Sequence, residues 1–178
     1  MATELLTWTE VRVAGLTGID RNIRTFYEGR KRGGGQHEAD GWTDHITGAI
    51  AELAVAKRFG LYPSRKARDT EGDAGALQVR SSCRHQNLIV RRYDSDDHIF
   101  VLVLGFAAHP DDSRLGAVVH IIGWMRGKEA KQDRYAVTGE RGPAWFVPGA
   151  ELHPIESLPV EALRGLTHTA ETQEDTRT

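Results

Sequence analysis

Three apolar runs rich in β-branched residues, "NLIVRRY", "HIFVLVLGF" and "GAVVHIIGWM", succeed one another between Asn87 and Met125. The segments between them, "DSDD" and "HPDDSR", carry the acids, serines and proline that favour turns. Extended apolar chain must pair its backbone groups with neighbouring strands, so a central sheet is expected and the rest of the chain has to be arranged around it.

Upstream, "TDHITGAIAELAVAKRFG" has helical apolar spacing, with Thr43 or Asp44 placed to cap its start and Gly60 its end. Between Thr7 and Arg32 a second helical pattern sets Val11, Leu16, Ile19, Ile23, Phe26 and Tyr27 on one side, with a break near Gly15 or Gly18, which predicts one or two helices. "GGGQHEADGW" is expected to be a flexible connector, and "LYPSRKARDTEG" a loop or a first short strand. After the strands, "GKEAKQ" predicts one or two helical turns, "PAWFVP" an edge strand framed by prolines, and "SLPVEALRGL" a terminal helix with Pro159 in its first turn.

With 178 residues and 39% hydrophobic content, the chain has material for one well-filled core. The expected organisation is a single domain over 1–166, with a helical extension and glycine-rich connector in 1–42, a core in 43–150, and a disordered polar tail in 167–178. No run of about 18 apolar residues is present. The N-terminal "MATELLTWTEVRV" carries acids where a signal peptide needs a basic start, so a soluble, unexported, cytoplasmic protein is expected. Cys83 is the only cysteine, which excludes an internal disulfide and a thiolate-rich zinc site.

The net charge of −2 is not that of a typical nucleic-acid binder, but it is unevenly spread. From Glu151 onward six acids face two arginines, so that segment carries −4 and residues 1–150 carry +2. Basic residues cluster at Arg30, Lys31 and Arg32, at Lys66 and Arg68, and at Arg84. Such clusters suit salt-sensitive backbone contacts with nucleic acid, and equally a solvated surface of mixed charge. The eight histidines are scattered, "RGGGQ" lacks the Lys-Ser/Thr of a phosphate-cradling loop, and no G-x-S-x-G elbow occurs. His85 is assigned to a surface loop, and "HPDD" to a turn.

One acid stands where apolar residues belong. At about 100° per residue, the arc through Ile46, Ala49, Leu53, Ala56, Val55 and Phe59 contains Glu52 as its single charge. A buried carboxylate requires a salt bridge, hydrogen bonds or a cation. Downstream, "GDAGALQVRSS" places Asp73 before a short strand on which Leu77 and Val79 face one way and Gln78 and Arg80 the other. Carboxylate, amide and carbonyl oxygens brought to one point would suit a hard cation such as Mg²⁺.

In this order of elements the sequence resembles the PD-(D/E)XK phosphodiesterase superfamily, over roughly Ile46 to Phe106, and small phage-type members are similar in size and layout. The resemblance implies an α/β fold with a restriction endonuclease-like αβββαβ core, a central mixed sheet flanked by helices, and an N-terminal helical extension. It implies a Mg²⁺- or Mn²⁺-dependent endo- or exonuclease acting on DNA, with Glu52, Asp73, Gln78 and Arg80 as the catalytic set. Asp73, Glu52, the Gln78 amide and the Val79 carbonyl would then hold the ion, and Arg80 a phosphate oxygen. Many members of that family act as homodimers. Two departures stand out: Gln78 replaces an acid and brings no charge, and Arg80 replaces a lysine and cannot act as a general base. They leave open a nuclease-fold module without activity that serves DNA binding or assembly. A small interaction protein with no nucleic-acid role is a third alternative.

Overall fold

The structure, a computed structural model, describes residues 1–28, 38–61, 73–74, 76–82, 85–108, 116–139 and 142–159. In chain order the elements are β1 (Ala2–Thr7), α1 (Trp8–Tyr27), α2 (Glu38–Phe59), β2 (Leu77–Ser82), β3 (Asn87–Arg91), β4 (Ile99–Ala108), β5 (Gly116–Arg126), α3 (Gly127–Ala130), β6 (Ala136–Gly139) and β7 (Gly142–Pro148). Single 3-10 turns lie at Asp133–Tyr135, Gly149–Glu151 and Ile155–Ser157. Among the described residues no helix is long and apolar enough to cross a membrane.

The main sheet is mixed, in the order β1-β5-β4-β2. β5 pairs antiparallel with β1 and β4, whereas β2 runs parallel to β4, with Leu77 opposite Ile99 and Ser82 opposite Leu104. β3, β7 and β6 form a second, antiparallel sheet. Because side chains alternate along β4, Ile99, Val101 and Val103 join a core with α1 and α2 on one face. Phe100 and Leu102 join a second core with Leu88, Val90 and Val147 on the other. Burial on both faces is the reason "HIFVLVLGF" is an unbroken apolar run. The molecule is therefore an α/β protein of three layers, and its two long helices share one face of the sheet where flanking helices were expected.

Several expectations are corrected. The N-terminal segment contains the expected helix, α1, but is not helical throughout: Ala2–Thr7 before it is an outer strand of the main sheet, and Leu6 is buried in the core. Glu and Leu, both strong helix formers, conceal that strand in the sequence. α1 is a single helix that runs through Gly15 and Gly18. Its large apolar residues are not the packed face: Leu16, Ile23, Phe26 and Tyr27 are exposed, and Ala14, Gly18 and Asn22 are buried. A Cβ on Gly18 would lie 2.6 Å from the Ile46 Cα, so the seam between α1 and α2 admits only small residues there.

α2 starts at Glu38, five residues before the earlier of the two expected caps, and takes in part of the predicted connector. Its end agrees with expectation. Gly60 has φ +64°, Gly60 N donates to the Lys57 carbonyl and Leu61 N to the Ala56 carbonyl, which together make a Schellman cap. β7 is the centre of its sheet, not an edge. Its prolines, Pro143 and Pro148, sit near the two ends of the strand and leave the residues between them to bond on both sides. The predicted terminal helix and tail fall largely beyond Pro159, outside the described residues, as does "LYPSRKARDTEG" after Leu61.

Candidate functional site

The close approach at Gly18 has a chemical consequence. Lys57 reaches the start of α1, donating to the Leu5 carbonyl and to Glu10, whereas Gly18 meets the His45–Ile46 backbone near the start of α2, so the two helices are antiparallel. Side chains on a helix lean towards its N-terminus, and Arg21 is thereby carried back to the level of Glu52. Its Nη1 and Nη2 donate to Glu52 Oε1 and Oε2, each at 2.6 Å. Glu52 is only 7% exposed, so the inward acid expected from helical spacing is present, and a guanidinium partners it.

Asp73 is placed by its own backbone. Asp73 N donates to the Leu77 carbonyl at 2.7 Å, and Val79 N donates to Asp73 Oδ2 at 2.8 Å. These bonds clasp Asp73 along the side of β2 that no strand covers among the described residues, where β4 is its single sheet neighbour. Within a strand a residue's N–H and C=O point to the same side, so the Val79 carbonyl lies along that same edge. Burial pushes the Glu52 carboxyl above its ordinary value; the Arg21 hydrogen bond opposes this, and the negative charge of Asp73 reinforces it. Arg21 is held more firmly protonated, first by its bonds to Glu52 and further by Asp73. Glu52, Arg21 and Asp73 are thus one electrostatic unit.

Gln78 and Arg80 do not join it. Leu77 and Val79 belong to the core beneath α2, and the residues between and after them face the opposite way. Gln78 and Arg80 line a cavity of about 710 Å³ with Ser82, His85, Arg91 and Asp94. Arg80 Nη2 donates to Asp94 Oδ1 at 3.1 Å, and its guanidinium lies 5.2 Å above the centre of the Phe100 ring. The second Asp94 oxygen accepts the Arg91 backbone N–H at 2.8 Å. The single pocket anticipated for Glu52, Asp73, Gln78 and Arg80 is divided by β2 into an acid pair on the helix side and a polar cavity on the other. Arg30, Lys31, Arg32, Lys66, Arg68 and Arg84 lie outside the described residues.

Sequence reasoning overlooked Arg21 and Asp94. A stripe of Ala14, Gly18 and Arg21 on α1 was the available signal for the first, because small residues mark a seam and the charge beside them must meet something in it. "RRYDSDD" looks like a turn, and Asp94 does close one, with Asp94 N donating to the Arg91 carbonyl. No protein-family model, curated protein or solved structure matches the chain.

The donor chemistry can be tested against the divalent ion that the resemblance implies. Glu52, Asp73 and the Val79 carbonyl are hard oxygen donors; the Glu52 carboxyl is raised first by burial, with the charge of Asp73 adding to it. Among the described residues no three His, Cys, Asp or Glu side chains gather into a metal-binding group, so backbone and water oxygens would complete the set. The residues fit an ion on one condition: Arg21 must yield at least one Glu52 oxygen.

Proposed function

We propose that the chain is a divalent-metal-dependent phosphodiesterase that hydrolyses DNA, built on a restriction endonuclease-like core and working at the uncovered edge of β2. The observation that carries this reading is the juxtaposition of Glu52, Arg21 and Asp73 beside that edge, where a helix acid and a strand-start acid share one field. Glu52, Asp73 and the Val79 carbonyl would hold Mg²⁺ or Mn²⁺, which supplies an activated water and neutralises charge on the scissile phosphate. Asp73 is oriented by the Val79 N–H. Arg21 favours the ionised form of Glu52 against the effect of burial and, once it releases one oxygen, offers N–H donors to a phosphate oxygen arriving at the same edge. Gln78 and Arg80 take no part in holding the ion in this arrangement.

A cleavage panel with Mg²⁺ and Mn²⁺ over single-stranded, double-stranded and branched DNA tests the proposal. Wild-type protein is expected to cut at least one substrate, and Asp73→Ala to lose activity by a factor of about 100 or more while remaining folded. The bidentate hold of Arg21 on Glu52 favours a second reading, a nuclease-fold module that binds or assembles on DNA without cutting it. Absence of cleavage, heat and thermal stabilisation with either ion would leave that reading in place of the first.

A further inference from the structure

The cavity on the far face of β2 has a polar lining that the fold does not consume. Gln78 is 6% exposed, yet among the described residues its side-chain amide makes no hydrogen bond; it opens into the cavity. Its amide faces the cavity alongside Ser82, His85, Asn87 and Arg91, and offers a ligand there both a donor and an acceptor. Arg80 is pre-positioned, bonded to Asp94 and lying over the Phe100 ring, with one of its five N–H donors engaged among the described residues. The Arg91 side chain also lines the cavity and has no ion-pair partner among the described residues. Among the described residues Asp94 is the one acid in the lining, and both its oxygens are engaged, by Arg80 and by the Arg91 N–H.

Two guanidiniums against one spent carboxylate leave a positive balance, and a planar guanidinium with idle donors matches a phosphate. The volume of about 710 Å³ exceeds what a bare phosphate fills and falls in the range of small-molecule sites. Ser81, Ser82 and Asn87 add neutral hydrogen-bonding groups along the wall, and Tyr93 stands exposed at the rim, where a flat base can stack.

We infer that this cavity is a binding site for a phosphorylated nucleoside, with Arg80 and Arg91 on the phosphate and Gln78 hydrogen-bonding the nucleoside or a phosphate oxygen. The ligand is either a free nucleotide or one unit of a nucleic-acid strand. The site lies on the opposite face from the acid pair and needs no metal, so it does not rest on the proposed hydrolysis.

Calorimetric titration in the presence of EDTA tests it, with a nucleoside 5′-monophosphate, the matching nucleoside and a short single-stranded oligonucleotide as probes. The monophosphate or the oligonucleotide is expected to bind, the nucleoside to bind about tenfold more weakly or not at all, and Arg91→Gln and Gln78→Leu each to weaken the better probe by about tenfold. Binding by the oligonucleotide alone identifies a strand as the source of the phosphate, and binding by the monophosphate a free nucleotide. Arg91→Gln keeps the test independent of folding, because that side chain holds no other element. No binding by either phosphorylated probe, equal binding of nucleoside and monophosphate, or undiminished binding by both variants overturns the inference. EDTA separates the two proposals: loss of cleavage leaves this binding untouched, and loss of this binding leaves cleavage at the other face to be judged alone.

Discussion

Arg21 decides whether the acid in α2 is an asset or a burden. Removing one member of a buried, hydrogen-bonded pair leaves the other charge stranded and costs about 3–5 kcal/mol, whereas replacing both with apolar groups is often neutral or better. Arg21→Met is therefore expected to lower unfolding stability in urea by about that amount, and Arg21→Met combined with Glu52→Met to recover most of it. Equal stability of Arg21→Met and wild type would mean that the pair holds nothing together. The position of Glu52 was legible because a charge interrupting an apolar arc at helical spacing has few exits. Its partner was not, because no local pattern says which helix lies opposite. The separation of Gln78 from Glu52 was in fact written in "ALQVRSS". If Leu77 and Val79 face the helices, Gln78 and Arg80 cannot.

At the level of elements, the junction of β1 and α1 is stapled to the end of α2. Thr7 Oγ1 accepts from Glu10 N at 3.3 Å, Thr7 N donates to Glu10 Oε2 at 2.6 Å, and Lys57 donates to the same oxygen at 3.0 Å. Partial burial alone would raise the Glu10 carboxyl, but the Thr7 backbone bond and Lys57 together bring it below its ordinary value of 4.5. The unfolded chain then binds the proton more readily, so the contribution of Glu10 is complete above about pH 4.5 and is lost as pH falls through the lower folded value. Thr7→Ala is expected to cost about 1 kcal/mol at neutral pH, and Glu10→Gln to flatten the acid limb of the stability profile, both read by thermal melts across pH. Gly18→Ala sets two effects against each other. The helix gains about 1 kcal/mol of propensity, while a methyl 2.6 Å from the Ile46 Cα forces the helices apart. A net loss of about 1–3 kcal/mol is expected, and a rise in Tm would show that the seam yields. α2 could be read from sequence because its end carries a glycine signal and its core face is apolar. α1 misled because a tight helix seam selects small residues and turns Leu16 and Phe26 outward.

On the scale of the whole molecule, two of the three apolar runs, those of β4 and β5, made the centre of the main sheet legible, and the second sheet was not. β3 was assigned to the same sheet as β4 because adjacent runs usually pair, but it is diverted to β7. Parallel pairing of β2 with β4 requires such a crossover, and here a strand of another layer serves where a helix is usual. Amide exchange should follow this arrangement. β4 and β5, paired on both sides, are expected to retain deuterium longest and β2 to exchange earlier, with Asp73→Ala further exposing the Val79 amide; uniform protection across the four strands would contradict it. Since β2 finds its one strand neighbour only at Ile99, a chain cut short before that point contains Glu52, Arg21 and Asp73 in full and lacks the strand that seats them. The seating of these three side chains against β2 is therefore completed only after β4 has been made.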